Sequence, residues 1–178
     1  MINEPELIEQ LKDPRRREQA FTRLVREYQE PIYWQIRRMV NSHDDADDIL
    51  QNTFLKAWTA IEAFRGDSKL STWLFRIATN ETLNHLNKEK STQSIDDVSN
   101  TGIQLQSDTY FDGDETQIQF QEALSTLPPK QRAVFDMKYF QEMKYEEISQ
   151  IMGTSIGALK ASYHHAMKKI TEYFDRLH

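Results

Sequence analysis

The sequence predicts an all-α protein built from two small helical domains joined by an acidic, flexible linker. Apolar residues recur at helical spacing, with little of the alternation that marks strands. Glycine and proline are scarce, with five of each in 178 residues, so few positions interrupt a helix. Residues 91–117 carry six acids and no lysine or arginine, a composition typical of a polar linker. We therefore expect helical domains over 4–90 and 118–178.

In the first domain, prolines and polar starts predict four helices. Asp13-Pro14 begins a helix over about 14–28, and a second proline begins another over about 31–41. A third helix starts in the aspartates and covers about 44–63. The loop FRGDSKLS then leads into a fourth helix over about 71–88.

The second domain ends in a predicted helix-turn-helix. Leu127-Pro128-Pro129 ends one helix and begins the next. In YEEISQIMGTSIGALKASYHHAMKKI, a short helix precedes Gly153 and a second helix starts near Ser155. The outward face of that helix has no acid and is small, then basic, as suits a major groove. A structural helical hairpin is the alternative. We expect these side chains to be buried: Ile156, Leu159, Tyr163, Ala166, Met167 and Ile170.

The helix over 44–63 has two stripes. The first is an ordinary core stripe of Leu50, Phe54, Ala57 and Ile61. The second has an apolar centre and a polar rim, which is typical of a protein-docking surface, unless its tryptophan only widens the core. Its members are Asp44, Asp47, Gln51, Leu55, Trp58 and Glu62.

The four aspartates at 44–48 do not follow the pattern of a calcium loop. Ala46 stands where the second ligand is needed, and no turn glycine follows. Carboxylates in the first turn of a helix interact favourably with its exposed N–H groups, which explains one or two of the four. We expect no metal and no cofactor.

The helix over 71–88 has an outward stripe of hydrogen-bond donors beside an aromatic ring. Such a stripe suits bases and phosphates, although an ordinary solvated face is the alternative. Its members are Trp73, Arg76, Asn80, Asn84 and Asn87.

Composition excludes several classes of function. The chain has no cysteine, which rules out disulfides and zinc–thiolate sites. Neither a signal peptide nor a bilayer-spanning segment is recognisable, so we expect a cytoplasmic protein with no membrane insertion. The net charge of −6 resides entirely in 91–117. The remaining charges balance closely enough that nucleic-acid binding is not excluded.

The order of these motifs resembles a bacterial RNA polymerase sigma factor over residues 18–170. DDADDILQNTFLKAW is followed by FRGDSKLSTWLFRIATN, a polar linker, LPPKQRAVF and the helix-turn-helix. The similarity is to the small extracytoplasmic-function (ECF) group, which retains sigma domains 2 and 4. The resemblance implies binding to core RNA polymerase and promoter DNA, promoter melting, and a possible anti-sigma factor. It implies no enzymatic activity.

The resemblance also implies a role for individual residues. Core polymerase would be bound by Asp47, Asp48, Gln51, Phe54, Leu55 and Trp58. The −10 element would be opened by Phe64, Arg65, Ser68, Lys69, Thr72, Trp73, Arg76, Asn80 and Asn84. The −35 element would be read by Thr154, Ser155, Ala158, Lys160, Ala161, His164, His165 and Lys168.

The recognition helix, which starts near Ser155, departs from the family pattern at three positions. In the recognition helix, Ser162, His165 and Met167 occupy places where the family often has arginine, so phosphate contacts there should be weaker.

The acidic linker matches the segment that threads near the polymerase active centre, and we hypothesise that its charge imitates nucleic acid.

Two other functions agree with the sequence. A helix-turn-helix regulator would bind DNA without polymerase and would have a ligand pocket or dimer interface. A helical protein adaptor would make the donor stripe accidental.

Overall fold

The computed structural model describes residues 2–93 and 114–178, and within these ranges the chain is helical without strands. The all-α prediction is confirmed. The helices are α1 (Glu4–Lys12), α2 (Arg17–Met39), α3 (His43–Ala60), α4 (Leu70–Gln93), α5 (Glu115–Ser125), α6 (Pro129–Phe135), α7 (Tyr145–Met152) and α8 (Ile156–Leu177). A 3₁₀ turn, Ile61–Ala63, continues α3, and a π-helical turn, Asp136–Phe140, continues α6. None of the described helices is both long and apolar enough to cross a membrane.

Helix α2 corrects the prediction of two helices separated at Pro31. The chain is helical without interruption from Arg17 to Met39. Proline removes one backbone hydrogen bond and disfavours a helix interior. Here Leu24 and Ile32, one on each side of Pro31, are fully buried, and this burial outweighs the local cost of the proline. Tertiary packing, which a propensity argument does not include, therefore decides the length of α2.

Helix α3 begins as predicted at the aspartates. Ser42 is its N-cap, and the Ser42 hydroxyl accepts a hydrogen bond of 3.1 Å from the backbone N–H of Asp45. This bond satisfies one of the free N–H groups of the first turn. The helix and its 3₁₀ extension end at Ala63, the predicted end.

The predicted linker is shorter at both ends than expected. Residues 91–93 belong to α4, and Glu115–Gln117 form the first turn of α5, for which Asp114 is the N-cap. Four of the six acids lie outside the described residues. The hypothesis that the linker charge imitates nucleic acid therefore also concerns residues outside the described ranges.

The helix-turn-helix forms as predicted. Helix α7 ends at Met152, and Gly153 adopts the left-handed conformation with φ of 65°. Glycine takes this conformation without the steric cost that a Cβ imposes. Ser155 then caps α8 by accepting a 3.3 Å hydrogen bond from the N–H of Ala158.

The two groups of helices share one hydrophobic core. Helix α7 packs against α4, while α5 and α6 contact α2. Met137, Ile148 and Leu159 belong to the same buried cluster as Leu24 and Leu74 of the amino-terminal helices. A second cluster, around Phe135, lies among α5, α6 and α8. The carboxyl-terminal helices are therefore held against the amino-terminal ones.

Two glycines give a test of the turn. A Cβ at Gly153 would meet no atom within 4 Å, so Gly153→Ala adds only the strain of positive φ. We expect it to lower the free energy of unfolding by about 1 kcal/mol. Gly157, within α8, is equally open but has no positive φ. Gly157→Ala should therefore raise stability by about 0.5 kcal/mol. Urea unfolding measures both, and equal effects of the same sign would contradict this account.

Candidate functional site

The four aspartates of α3 have different surroundings. An oxygen of Asp47 lies 3.1 Å from Nε2 of His43, one turn away. Asp45 turns towards α4, where the His85 ring lies. Asp44 and Asp48 are exposed. Three of the four therefore give the start of α3 an acidic surface, and Asp45 contributes to the contact with α4.

Leu55 and Trp58 form an exposed apolar centre on α3. Their exposed fractions are 59% and 36%, and the two residues are neighbours on one face of the helix, three positions apart. The Trp58 ring packs edge-on against Phe21 at 5.0 Å, and the Arg17 guanidinium lies 4.1 Å from its centroid. Arg17 also pairs with Glu62 at 2.6 Å. The indole is thus held in place with one side accessible, as a docking surface requires.

Phe54 differs from the other residues of the predicted polymerase surface. It is only 9% exposed, and its ring lies 6.3 Å from Phe21. Its position in the first stripe of α3 predicts this burial. In this conformation Phe54 supports the surface from beneath and offers a partner little contact.

The residues expected at the −10 element divide by burial. Phe64 and Thr72 are buried, with their side chains in the interior. Trp73 is half-buried, and its ring lies 5.2 Å from that of Phe64. Ser68 is also half-buried. The others are exposed: Arg65, Lys69, Arg76, Asn80 and Asn84.

The donor stripe borders the carboxyl-terminal helices. A cavity of about 560 Å³ is lined by Asn80, Asn84 and Asn87 of α4 together with Lys130 of α6. Lys69, directly before α4, pairs with Glu147 of α7 at 3.3 Å. In this conformation the carboxyl-terminal helices therefore lie next to the surface expected to meet the −10 element.

The outward face of α8 is accessible. The expected −35 residues are exposed, apart from the half-buried Thr154. The ammonium group of Lys160 lies 5.7 Å from the centroid of Tyr145. Met167 corrects a prediction: it is 38% exposed, not buried, because the buried side of α8 runs through Leu159, Ala166 and Ile170. This exposed methionine widens the apolar part of the outward face.

A buried polar network joins the two groups of helices, and the sequence did not predict it. The Arg38 guanidinium hydrogen-bonds to Asp136, which also accepts a 2.6 Å bond from Gln141. The Arg38 carbonyl accepts bonds from Arg132 at 2.8 Å and Gln121 at 3.2 Å. Arg38 and Asp136 are 98 positions apart, so no local pattern could reveal their contact.

Burial shifts the pKa values of this network. Desolvation raises the pKa of Asp136, against the opposing effects of Arg38 and Gln141. Desolvation also lowers the pKa of Arg132 to about 10, with Asp136 opposing and Arg37 acting in the same direction. These groups are therefore removed from water and depend on one another for compensation.

Comparison with known proteins identifies the family. The Sigma-70 region 2 profile matches residues 24–92, and the Sigma-70 region 4 profile matches residues 117–170. The ECF RNA polymerase sigma factor SigW of Bacillus subtilis is 33% identical over 82% of this chain and 83% of its own. The chain belongs to the ECF sigma factors.

Two further similarities agree with this assignment. The RNA polymerase sigma-H factor of Pseudomonas aeruginosa is 29% identical over 85% of this chain and 84% of its own. The sigma factor RpoE of Bartonella quintana, solved in complex with the anti-sigma factor NepR, has a TM-score of 0.73 at 26% identity. That similarity covers 87% of this chain and 96% of the solved one. The chain is thus a sigma factor, a regulatory protein that acts with RNA polymerase in transcription initiation.

The buried network gives a prediction about stability. Asp136→Asn leaves Arg38, whose side chain is 14% exposed, and the buried Arg132 without an anionic partner, which should cost about 3 kcal/mol of unfolding free energy. Asp175→Asn, on the exposed end of α8, is the matched control and should have little effect. Urea unfolding compares the two, and equal midpoints would show that the Asp136 charge is not needed for the packing.

Proposed function

We propose that this ECF sigma factor binds core RNA polymerase through the acidic and apolar surface of α3. We further propose that it opens the −10 element with α4 and its preceding loop, and reads the −35 element with α8. The observation that carries the proposal is the accessible Leu55 and Trp58 pair. It lies on the helix that the family resemblance assigns to polymerase docking. Such a protein confers promoter specificity on an enzyme and needs no catalytic residue of its own.

One experiment separates this function from its two rivals. The purified chain is added to core polymerase, bound complexes are isolated, and run-off transcription is measured on candidate promoters. A sigma factor binds core polymerase and supports initiation. A helix-turn-helix regulator would bind DNA without polymerase, and a helical adaptor would support neither DNA binding nor initiation.

The α3 surface has the features of a binding hot spot. Trp58 is held by Phe21 and Arg17, so little side-chain freedom remains to be lost when a partner binds. The exposed Asp47 and Asp48 form a polar rim that favours a basic partner surface.

Truncation of this apolar centre tests the docking surface. Leu55→Ala and Trp58→Ala should each weaken core polymerase binding by about 2 kcal/mol, roughly 30-fold, if both are hot-spot residues. The control is Asn52→Ala, an exposed residue of α3 outside this stripe. Affinity is measured by fluorescence anisotropy, after circular dichroism has established that each variant is folded. Since Leu55 is far more exposed than Trp58, normal binding by Leu55→Ala would count directly against the surface.

Simultaneous promoter contacts require the two groups of helices to separate. By their numbering, the −10 and −35 elements are centred about 25 base pairs apart, which is roughly 85 Å at about 3.4 Å per base pair. A compact chain of this length is only about 40 Å across, from its expected radius of gyration. We propose that the packed arrangement is a closed state, and that polymerase binding favours an open one.

The donor stripe gives a prediction about promoter melting. Asn80 is exposed and can hydrogen-bond an unpaired base or a phosphate once the neighbouring helices move away. Asn80→Ala should lower transcription several-fold from a duplex promoter but less from a template already unpaired at −10. Run-off transcripts on the two templates are compared, with Gln29→Ala on α2 as the control. Equal activity of Asn80→Ala and the control on both templates would exclude Asn80 from the DNA interface.

The exposed face of α8 gives a prediction about salt dependence. Lys160→Ala should reduce the slope of log affinity against log salt by about one unit if Lys160 neutralises one phosphate. Lys12→Ala, on the exposed side of α1, should leave the slope unchanged. Binding of the holoenzyme to a −35-containing duplex is titrated at several salt concentrations. A slope that Lys160→Ala does not change would remove Lys160 from the phosphate contacts.

We also propose regulation by an anti-sigma factor. The support is the likeness, across most of the chain, to a sigma factor solved with its anti-sigma partner. A partner that binds the closed state more tightly than the open one would hold the chain away from polymerase. A sigma factor acts where polymerase and DNA are, which implies a cytoplasmic location.

A further inference from the structure

Three side chains of the kinds that bind metal ions lie together at the contact between α3 and α4. Asp45 is in the first turn of α3, while His85 and Glu89 are one turn apart on α4. One ligand atom from each lies within 4.8 Å of the others. None of the three belongs to the proposed polymerase or promoter contacts.

The His85 ring nitrogen gives the decisive geometry. Its Nε2 lies 3.3 Å from an oxygen of Glu89 and 3.6 Å from an oxygen of Asp45. The Nε2 atom is closed to solvent, yet it makes no hydrogen bond with any described residue. Charge-assisted hydrogen bonds of an imidazolium are shorter, at about 2.8 Å, and well aligned. The nitrogen therefore faces two carboxylates without donating a hydrogen bond to either of them.

A bound cation would explain why Nε2 of His85 lies between two carboxylates without a hydrogen bond to either. Zinc ligands lie about 2.0–2.2 Å from the metal, which places neighbouring ligand atoms of a tetrahedron about 3.4 Å apart. The two separations at His85 bracket this value. The side chains of His85, Asp45 and Glu89 are 28%, 35% and 42% exposed, so the cluster borders solvent although Nε2 itself is enclosed.

We propose that Asp45, His85 and Glu89 form a binding site for a divalent transition metal of the Zn²⁺ type. An imidazole nitrogen with two carboxylates suits such ions, whereas Mg²⁺ and Ca²⁺ prefer oxygen ligands alone. Three protein ligands leave a fourth position to water. The ion would neutralise two carboxylates and join the start of α3 to the carboxyl-terminal part of α4.

The test uses the full chain and Zn²⁺ alone as the probe. Isothermal titration should give one site, and a Zn²⁺ concentration of 100 times Kd should raise Tm by about 5–10 °C. Asp45→Asn, His85→Gln and Glu89→Gln should each weaken binding at least tenfold. The matched control is Glu81→Gln, because Glu81 also joins α4 to α3, through Lys56. His164→Gln and His165→Gln control for exposed histidines elsewhere.

A second measurement does not depend on the folding of variants. In the unmodified chain, ¹⁵N NMR of the imidazoles should detect a Zn²⁺-dependent change at the His85 ring before any change at His43, His164 or His165. Mg²⁺ at the same concentration should cause no change. The proposal fails if Zn²⁺ does not bind, if His85 is unaffected, or if binding is lost only in the His164 or His165 variants.

Discussion

The buried contact between Arg38 and Asp136 is the interaction on which the arrangement of the two groups of helices depends. The Asp136 side chain is 3% exposed and the Arg38 side chain 14%, and removing charges from water is costly unless they are paired with good geometry. The Arg38 carbonyl adds bonds from Arg132 and Gln121. Apolar packing can tolerate small shifts, but this network requires a defined position of α5 and α6 on α2. It therefore selects one packed arrangement from the many that a shared apolar core permits.

This arrangement affects the proposed surfaces differently. The apolar centre of α3, around Leu55 and Trp58, is accessible while the helices are packed. The donor stripe of α4 is bordered by Lys130, and Lys69 is engaged by Glu147. In the proposed sequence of events polymerase is recognised first, and the donor stripe of α4 is released from its carboxyl-terminal neighbours afterwards. Opening requires that polymerase binding contribute at least the free energy by which the buried polar network and the shared core favour the closed state.

Local signals in the sequence predicted most elements, and long-range contacts account for what they missed. The aspartates at the start of α3, the Pro128-Pro129 pair and Gly153 mark helix boundaries through backbone chemistry, which the sequence reveals directly. The two stripes of α3 separated a buried Phe54 from an exposed Leu55. The prediction of a helix boundary at Pro31 was wrong, because tertiary burial of Leu24 and Ile32 keeps the helix continuous. Arg38 meets Asp136, and Asp45 meets His85 and Glu89, across long stretches of the chain, and no periodicity carries that information.

The distance between the two groups of helices, free and on polymerase, tests the central claim most directly. The chain has no cysteine, so spin labels can be attached selectively at Glu9→Cys on α1 and Asp175→Cys on α8, both exposed. Pulsed electron–electron double resonance then measures the distance between the two labels. We predict one narrow, short distance in the free chain. In a transcription-competent complex with core polymerase and promoter DNA, the distance should increase by tens of ångströms, as expected if the elements lie roughly 85 Å apart. An unchanged distance in that complex would contradict the account.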